Sequence, residues 1–148
     1  MDNIDVVRAY FAALDSAEPQ NAAAYLSDQY QLVDFLPRPM DQTAMLRFLQ
    51  ALRKGLPNLA HSLSNLQADN NTVKVTVQRS GTHSSDLDLQ EWGAGFLPRT
   101  QKFIIFANAT CEFVLQNGKI ILERDVSPPS SSRRLPGMLK SLGMDQAY

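Results

Sequence analysis

The sequence has little cysteine, no excess of basic residues and no long apolar run, and each shortage excludes a class of protein. Its single cysteine, Cys111, excludes an intramolecular disulfide framework and a cysteine-rich zinc site. Lys and Arg total 14 against 15 Asp and Glu, which argues against a nucleic-acid partner, because phosphate contacts need a basic excess. No apolar run approaches the roughly 20 residues of a membrane span, and Asp2 and Asp5 stand where a signal peptide carries Lys or Arg. We therefore expect a cytoplasmic protein without a membrane partner.

What is present is the composition of a globular domain. Of the 148 residues, 44% are hydrophobic and 20% are charged, which is close to the average of globular proteins. A chain of this length buries roughly 68–70% of the surface of its unfolded form, enough for a core without disulfides. We predict one domain over residues 1–148, in which residues 127–148 form a tail containing proline and serine and a short helix.

The first third of the chain has the pattern of helices. Apolar residues recur at helical spacing from Ile4 to Leu14, and Asp2 or Asn3 can cap the start of this helix. Pro19 suits the first turn of a shorter helix. Residues 30–36 resemble a short strand. Asp41 can cap a third helix, and Gly55 stands at the position of a C′ glycine that ends it.

The remainder has the pattern of strands. Residues 72–80 alternate apolar and polar side chains with a period of two, and residues 59–67 and 102–115 also read as strands. Asn117-Gly118 is a strong hairpin signal ahead of a strand over 119–126. Residues 84–99 are polar and irregular. The order predicts an α+β fold in which a bent antiparallel sheet wraps around N-terminal helices and leaves an internal pocket.

Several motifs of known chemistry fail in this chain. Gly93-Ala94-Gly95 begins like a dinucleotide fingerprint, but its third glycine would fall on Pro98. The chain has neither a phosphate loop nor a Gly-x-Ser-x-Gly elbow. His61, His83 and Cys111 have no metal-ligand spacing. We expect no metal site, and we interpret Cys111 as a small buried thiol.

Several strings, in this order, resemble the nuclear transport factor 2-like superfamily and its SnoaL-like polyketide cyclase branch. They are residues 6–14, Leu56-Pro57-Asn58-Leu59, Gly81-Thr82-His83, residues 97–102, Gly118-Lys119-Ile120 and residues 139–143. The resemblance implies a cone-shaped α+β fold with a pocket at its wide end and homodimers formed through the outer sheet face. It also implies chemistry by a carboxylate or a His–Asp set, without metal or organic cofactor. The superfamily includes cyclases, isomerases, dehydratases and non-catalytic binding domains, so fold does not decide function.

One position departs from the cyclase pattern. Relatives carry an acid about ten residues after the glycine of Gly-Lys-Ile, where this chain has Pro128. The acids available nearby are Glu123 and Asp125. Either can replace the family acid, or both can lie on a solvated strand face.

Polar residues that interrupt apolar strands are the catalytic and ligand-binding candidates, because a buried polar group needs a partner or a ligand. His61, Asp34 and Asp125 are candidates for acid–base catalysis. The alternatives are a satisfied core histidine for His61 and a turn cap for Asp34. Asn108 is a candidate for binding a ligand carbonyl, unless a bulge turns it outward.

Four further residues are candidates for contacting a ligand. Tyr10 and Tyr30 can offer hydroxyl groups to a pocket or pack in the core. His83 ends a strand near the predicted pocket mouth, and Trp92 can cover the pocket or anchor a dimer. We expect a pocket for a small apolar molecule and cofactor-free proton transfer on a hydrophobic carbonyl compound. The alternative is a non-catalytic ligand-binding or dimerisation module on the same fold.

Overall fold

The two long helices begin where their capping aspartates predict. A computed structural model describes residues 1–127 and 134–143. Helix α1 spans Asn3–Leu14, and the Asp2 side chain accepts a hydrogen bond from the backbone N–H of Asp5 at 2.8 Å. Helix α2 spans Gln42–Gly55, and Asp41 caps it in the same way through Ala44. A short 3-10 segment, Pro19–Tyr25, follows α1 and begins with proline.

Gly55 has a different role from the predicted one. It is the last residue of α2 and does not have the positive φ of a C′ glycine. A Cβ atom at this position would lie 2.8 Å from the side chain of Leu87. Glycine is required here because the loop that carries Leu87 packs directly on the end of the helix.

One large sheet forms the other layer. Its strands are β1 (Leu26–Val33), β2 (Ala60–Asp69), β3 (Thr72–Thr82), β6 (Phe103–Ile105), β7 (Ala109–Gln116) and β8 (Lys119–Asp125). They lie in the order β1-β8-β7-β3-β2, and β6 also pairs with β3. The pairs are antiparallel except for β1 with β8, which is parallel. Asn117 and Gly118 join β7 to β8 with φ angles of 54° and 76°, which confirms the predicted hairpin.

Two predicted strands have other limits than the sequence suggested. β1 begins before residue 30 and ends at Val33, and Asp34 follows it with a φ of 63°. The run over 102–115 is two strands, β6 and β7, interrupted at residues 106–108. Both strands pair with β3, one after the other along its length.

Residues 84–99 are less irregular than predicted. They contain a small antiparallel pair, β4 (Leu87–Asp88) with β5 (Phe96–Leu97), and a 3-10 turn at Gln90–Trp92. Leu87 and Leu89 are fully buried. The two apolar side chains therefore anchor a segment that otherwise has polar composition.

The core lies between the helices and the sheet. α1 packs on β2 and β3, and α2 packs on β1 and β4. On β3 the three valines at 73, 75 and 77 are fully buried, which confirms the period-two pattern. Helix α3 (Arg134–Ser141) contributes Met138 and Leu139 to the core. The architecture is α+β, as predicted.

The predicted tail is described only in part. α3 coincides with the expected short helix near the end of the chain. Pro128 and the serines that follow it, and residues 144–148, lie outside the described residues. None of the helices in the described ranges combines the length and apolar character that spanning a bilayer requires.

Candidate functional site

A pocket lies between α1, α2, α3 and the concave face of the sheet. Its empty space is about 610 Å³, counted up to the open mouth, but the centre of a water molecule can move through only about 60 Å³ of it. The pocket is therefore narrow, with room for a few waters or a slim ligand. Its walls are mainly apolar: Phe11, Leu14, Leu32, Phe35, Met45, Phe48, Leu49, Leu52 and Met138. Six other side chains complete the lining: Tyr10, His61, Arg79, Cys111, Glu123 and Asp125.

Glu123 on β8 is the buried carboxyl of this pocket, with only 5% of its surface exposed. Its Oε1 accepts two hydrogen bonds, from the hydroxyl of Tyr10 at 2.8 Å and from that of Tyr30 at 2.6 Å. α1 supplies one tyrosine and β1 the other. The two tyrosines therefore fix the carboxyl group between the helix layer and the sheet.

Burial raises the pKa of Glu123 above its ordinary value, and the two tyrosine hydrogen bonds and the charge of Arg79 oppose that rise. Both tyrosines have pKa values raised well above the ordinary one, first by burial and then by the neighbouring carboxyl group. Oε2 receives no hydrogen bond from the described residues and is not sealed from the pocket. A protonated Glu123 can thus present an O–H donor to a ligand.

Asp125 lies two residues further along the same strand face and is 6% exposed. Its Oδ1 accepts a hydrogen bond from the backbone N–H of Ser127 at 2.8 Å. The Ser127 hydroxyl in turn accepts one from the backbone N–H of Thr110 at 2.9 Å. Asp125 lines the pocket, and these bonds also tie the end of β8 to β7.

His61 forms a dyad with Asp15, a residue that sequence reasoning missed. Its Nδ1 lies 2.6 Å from Oδ1 of Asp15, and its backbone N–H donates to Oδ2 of the same carboxylate at 2.9 Å. Asp15 caps the end of α1, where Arg53 donates to the carbonyl oxygens of Leu14 and Ser16. Both oxygens of the Asp15 carboxylate therefore contact His61, and Arg53 holds the backbone on either side of Asp15.

The dyad sets the state of the imidazole ring. An ionised carboxylate accepts hydrogen bonds only, so the proton of neutral His61 lies on Nδ1 and Nε2 carries the lone pair. Burial lowers the pKa of His61 from its ordinary value, and the hydrogen bond to Asp15 opposes that shift. A neutral ring with its lone pair on Nε2 is the form that a general base requires.

Arg79 was not among the predicted site residues, although the sequence contained a signal for it. It follows the buried positions Val73, Val75 and Val77 at the same spacing of two, so the strand alternation places it on the inner face. On the neighbouring strand its Cα partner is His61. The structure therefore adds a cation to the pocket next to the dyad.

Two predicted site residues lie outside the pocket. Asp34 is exposed in the turn after β1, so it does not share a strand face with Leu32. Asn108 is exposed in the break between β6 and β7. A strand that ends early and a strand that splits each turned a polar side chain outward, which corrects both placements.

His83 and Trp92 also lie beside the pocket rather than in its lining. His83 is fully buried, with Nδ1 3.1 Å from the hydroxyl of Thr100. The Trp92 ring packs edge-on against Phe48 at 5.1 Å and supports the pocket wall from behind. Tyr30 likewise reaches the site only through its bond to Glu123.

The remaining side chain in the pocket lining that could be reactive is the thiol of Cys111. Burial raises its thiol pKa to about 12, so the reactive thiolate is suppressed near neutral pH. The described residues contain no cluster of His, Cys, Asp and Glu that could hold a metal ion. The polar groups at the site are a histidine with a lowered pKa, two carboxyl groups, an arginine and two tyrosines.

Comparison with solved structures identifies the fold. IdmH of Streptomyces antibioticus, a candidate polyketide cyclase, superposes with a TM-score of 0.72 at 15% identity, over 97% of this chain and 100% of that one. A SnoaL-like polyketide cyclase of Agrobacterium tumefaciens gives 0.64 at 16% identity, over 87% and 93%. A Catenulispora acidiphila protein with a ketosteroid isomerase-like fold gives 0.69 at 10% identity, over 97% and 96%. At these identities the similarity establishes the nuclear transport factor 2-like fold alone.

Sequence comparison identifies the family. Among curated proteins none matches this sequence significantly. The family model of the SnoaL-like domain matches residues 7–123, which include both dyad residues, Arg79 and Glu123. That match covers most of the chain, and the chain therefore belongs to the SnoaL-like domain family.

Proposed function

We propose that this protein binds a small, mainly apolar carbonyl compound in the pocket and transfers protons on it without a cofactor. The observation that carries the proposal is the His61–Asp15 dyad, which opens on the same pocket as the protonatable carboxyl group of Glu123. A base and an acid whose environments shift their pKa values in opposite directions are the pair that acid–base catalysis at neutral pH needs.

The first step is removal of a proton from the carbon next to the carbonyl group. Nε2 of neutral His61 accepts this proton, and Asp15 stabilises the resulting imidazolium through Nδ1. The electron pair of the C–H bond moves to the carbonyl oxygen. Glu123 donates its proton to that oxygen, so a neutral enol forms.

Return of the two protons completes the reaction. His61 gives its proton to a different carbon, to a leaving hydroxyl group or, in a cyclisation, to the oxygen of the second carbonyl group that the enol carbon attacks, and Glu123 recovers its own from the enol oxygen. Isomerisation, dehydration and cyclisation share this enolisation step and differ in where the second bond forms. The apolar walls strengthen each electrostatic interaction because they exclude water. Asp125 is the alternative acid, since it lines the same pocket.

The test is hydrogen exchange on a simple ketone. Acetophenone in D₂O serves as the probe, and proton NMR follows the loss of its methyl signal. We expect the protein to accelerate exchange, and His61→Asn to reduce the acceleration by about 10²-fold or more, the usual contribution of a general base. Asn108→Ala, outside the pocket, is the matched control and keeps the activity.

The same experiment addresses the alternative of a non-catalytic binding module. If acetophenone shifts the NMR signals of pocket residues but its methyl protons exchange at the rate seen in His61→Asn, the pocket binds without catalysis. Native mass spectrometry of the purified protein for a retained small molecule then becomes the route to the ligand.

We also propose that two copies of the chain pair through the outer face of the sheet. Phe103 and Ile105 lie on one face of β6 and are 61% and 59% exposed. Apolar side chains of this size on a strand mark a contact surface. Sedimentation analysis should give a dimer for the wild type and a monomer for Phe103→Glu; an unchanged mass for the variant would rule out this face.

A further inference from the structure

We infer that Arg79 binds an anionic oxygen of the ligand, so the compound that fits this pocket has an apolar body and one acidic group. The acidic group is a carboxylate or the enolate of a 1,3-dicarbonyl unit. The inference rests on the proposed function in that it concerns the same pocket. It narrows the expected small apolar molecule to an organic acid.

The backbone holds Arg79 rigidly at the pocket. β3 pairs with β2 at this position, where Arg79 lies opposite His61. On its other side the Arg79 carbonyl oxygen accepts a hydrogen bond from the Phe106 backbone N–H at 2.9 Å. Its side chain lines the pocket and is half-buried. A group held on a central strand is positioned better than one on a loop.

The guanidinium group of Arg79 has no partner among the described residues. It makes neither a hydrogen bond nor an ion pair there. The other two half-buried arginines of this part of the chain are both engaged, Arg53 with two carbonyl oxygens and Arg124 with Glu112. Because Arg79 lines the pocket, its free N–H donors are available to an acceptor that a bound ligand supplies.

The positive charge of Arg79 influences the pKa values of four other side chains that line the pocket. It opposes the burial that raises the pKa of Glu123, Tyr10 and Cys111, and it adds to the burial that lowers the pKa of His61. Glu123 is protonatable and points Oε1 at the two tyrosines, and Asp125 accepts through Oδ1 from Ser127. Glu123 forms no ion pair with Arg79 in the described part of the chain.

An anionic oxygen fits this arrangement better than a neutral one. The guanidinium fork matches the two oxygens of a carboxylate or of a 1,3-dicarbonyl enolate. Because Arg79 lies across the strand pair from His61, an anion on Arg79 brings the carbon next to it toward the base. The same cation would stabilise the enolate as its C–H proton leaves.

The test compares two probes of nearly the same shape and different charge, phenylacetate and phenylacetamide. NMR titration of the full-length protein at neutral pH gives their dissociation constants from the shifts of pocket signals. We expect phenylacetate to bind about 10- to 100-fold more tightly, the usual value of a charge-assisted hydrogen bond. Arg79→Met should reduce the preference to less than about 3-fold, and Arg79→Lys should keep part of it. Arg47→Met, an exposed arginine paired with Glu91, should keep it in full.

Each outcome decides one proposal. Equal binding of the two probes by the wild type, or a preference that survives in Arg79→Met with an intact amide spectrum, overturns the role of Arg79. In that case binding of phenylacetamide still leaves the proposed pocket function in place. If neither probe moves any pocket signal, the proposed function fails together with this inference.

Discussion

Replacing Glu123 by glutamine separates the charge of this buried group from its hydrogen bonds. The amide oxygen of the new side chain can accept the same two hydroxyl groups, those of Tyr10 and Tyr30, which lie 2.8 and 2.6 Å from Oε1 in the wild type. The substitution removes only the ability to gain and lose a proton. Any effect of pH that disappears in Glu123→Gln therefore comes from the titration of this carboxyl group.

The sign of the effect follows from the raised pKa of Glu123. The folded state holds the proton to a higher pH than the unfolded chain does. The contribution of Glu123 to the free energy of unfolding is therefore complete below the ordinary pKa of 4.5 and is lost as pH rises through the folded-state pKa. Between these two pKa values the free energy of unfolding falls by at most about 1.4 kcal/mol per pH unit.

The assay is urea unfolding of wild type and Glu123→Gln from about pH 4 to pH 8, with Glu91→Gln as a control for an exposed carboxyl group. At the acidic end both side chains are neutral, so the stabilities should agree within about 1 kcal/mol. Toward neutral pH the variant should become the more stable protein. Subtracting the free energy of unfolding of the wild type from that of the variant at each pH removes the contribution of the other titrating groups, including His61.

Two results would refute this reasoning. A difference that stays constant across the pH range would mean that Glu123 titrates alike in the folded and unfolded states. A variant destabilised by several kcal/mol at the acidic end would mean that the amide cannot keep the two tyrosine bonds. The second case can be recognised with Tyr10→Phe, which removes one of those bonds and should cost about 1 kcal/mol.

Three other substitutions or treatments test separate parts of the structure. Asp15→Asn removes the carboxylate that raises the His61 pKa, so that pKa should fall further, and nitrogen NMR should show loss of the single Nδ1–H tautomer; an unchanged ring spectrum would contradict the dyad. Gly55→Ala places a methyl group 2.8 Å from the side chain of Leu87 and should cost about 1–3 kcal/mol in urea unfolding, whereas a neutral effect would show that the loop yields easily. Cys111, with a thiol pKa of about 12, should react with a disulfide reagent at mildly alkaline pH only as fast as the protein opens, and rapid reaction in the native state would refute its burial.

Local signals in the sequence predicted the elements well where short-range physics decides them. Asp2 and Asp41 begin the two long helices because their side chains satisfy free N–H groups of the first turn. Asn117 and Gly118 form the hairpin because both tolerate a positive φ. The alternation along β3 predicted which side chains are buried.

The candidate site was predicted in part. His61, Tyr10 and Asp125 line the pocket, and Tyr30 reaches it through Glu123. The sequence indicated His61 as a candidate base but did not indicate its partner, because Asp15 lies 46 positions away along the chain. Only the packing of α1 against β2 brings the two together.

Glu123 shows why the sequence could not rank the two acids of β8. Both alternate with apolar or basic neighbours, and a strand with a period of two can expose either face. The pairing of β8 with β7 and β1 decided the matter, since it buried Glu123 and Asp125 together. Asp34, by contrast, is exposed because β1 ends one residue before it.

The α+β class, the helix starts, the hairpin and the buried face of β3 follow from the sequence, because caps, turns and periodicity act over a few residues. Which polar groups meet in the pocket depends on the packing of the whole chain. The dyad of His61 with Asp15 and the position of the Arg79 guanidinium depend on strand register and helix packing, which join residues far apart in the chain. Burial at that meeting point then shifts the pKa values of His61 and Glu123, and no local pattern specifies which distant elements pack together there.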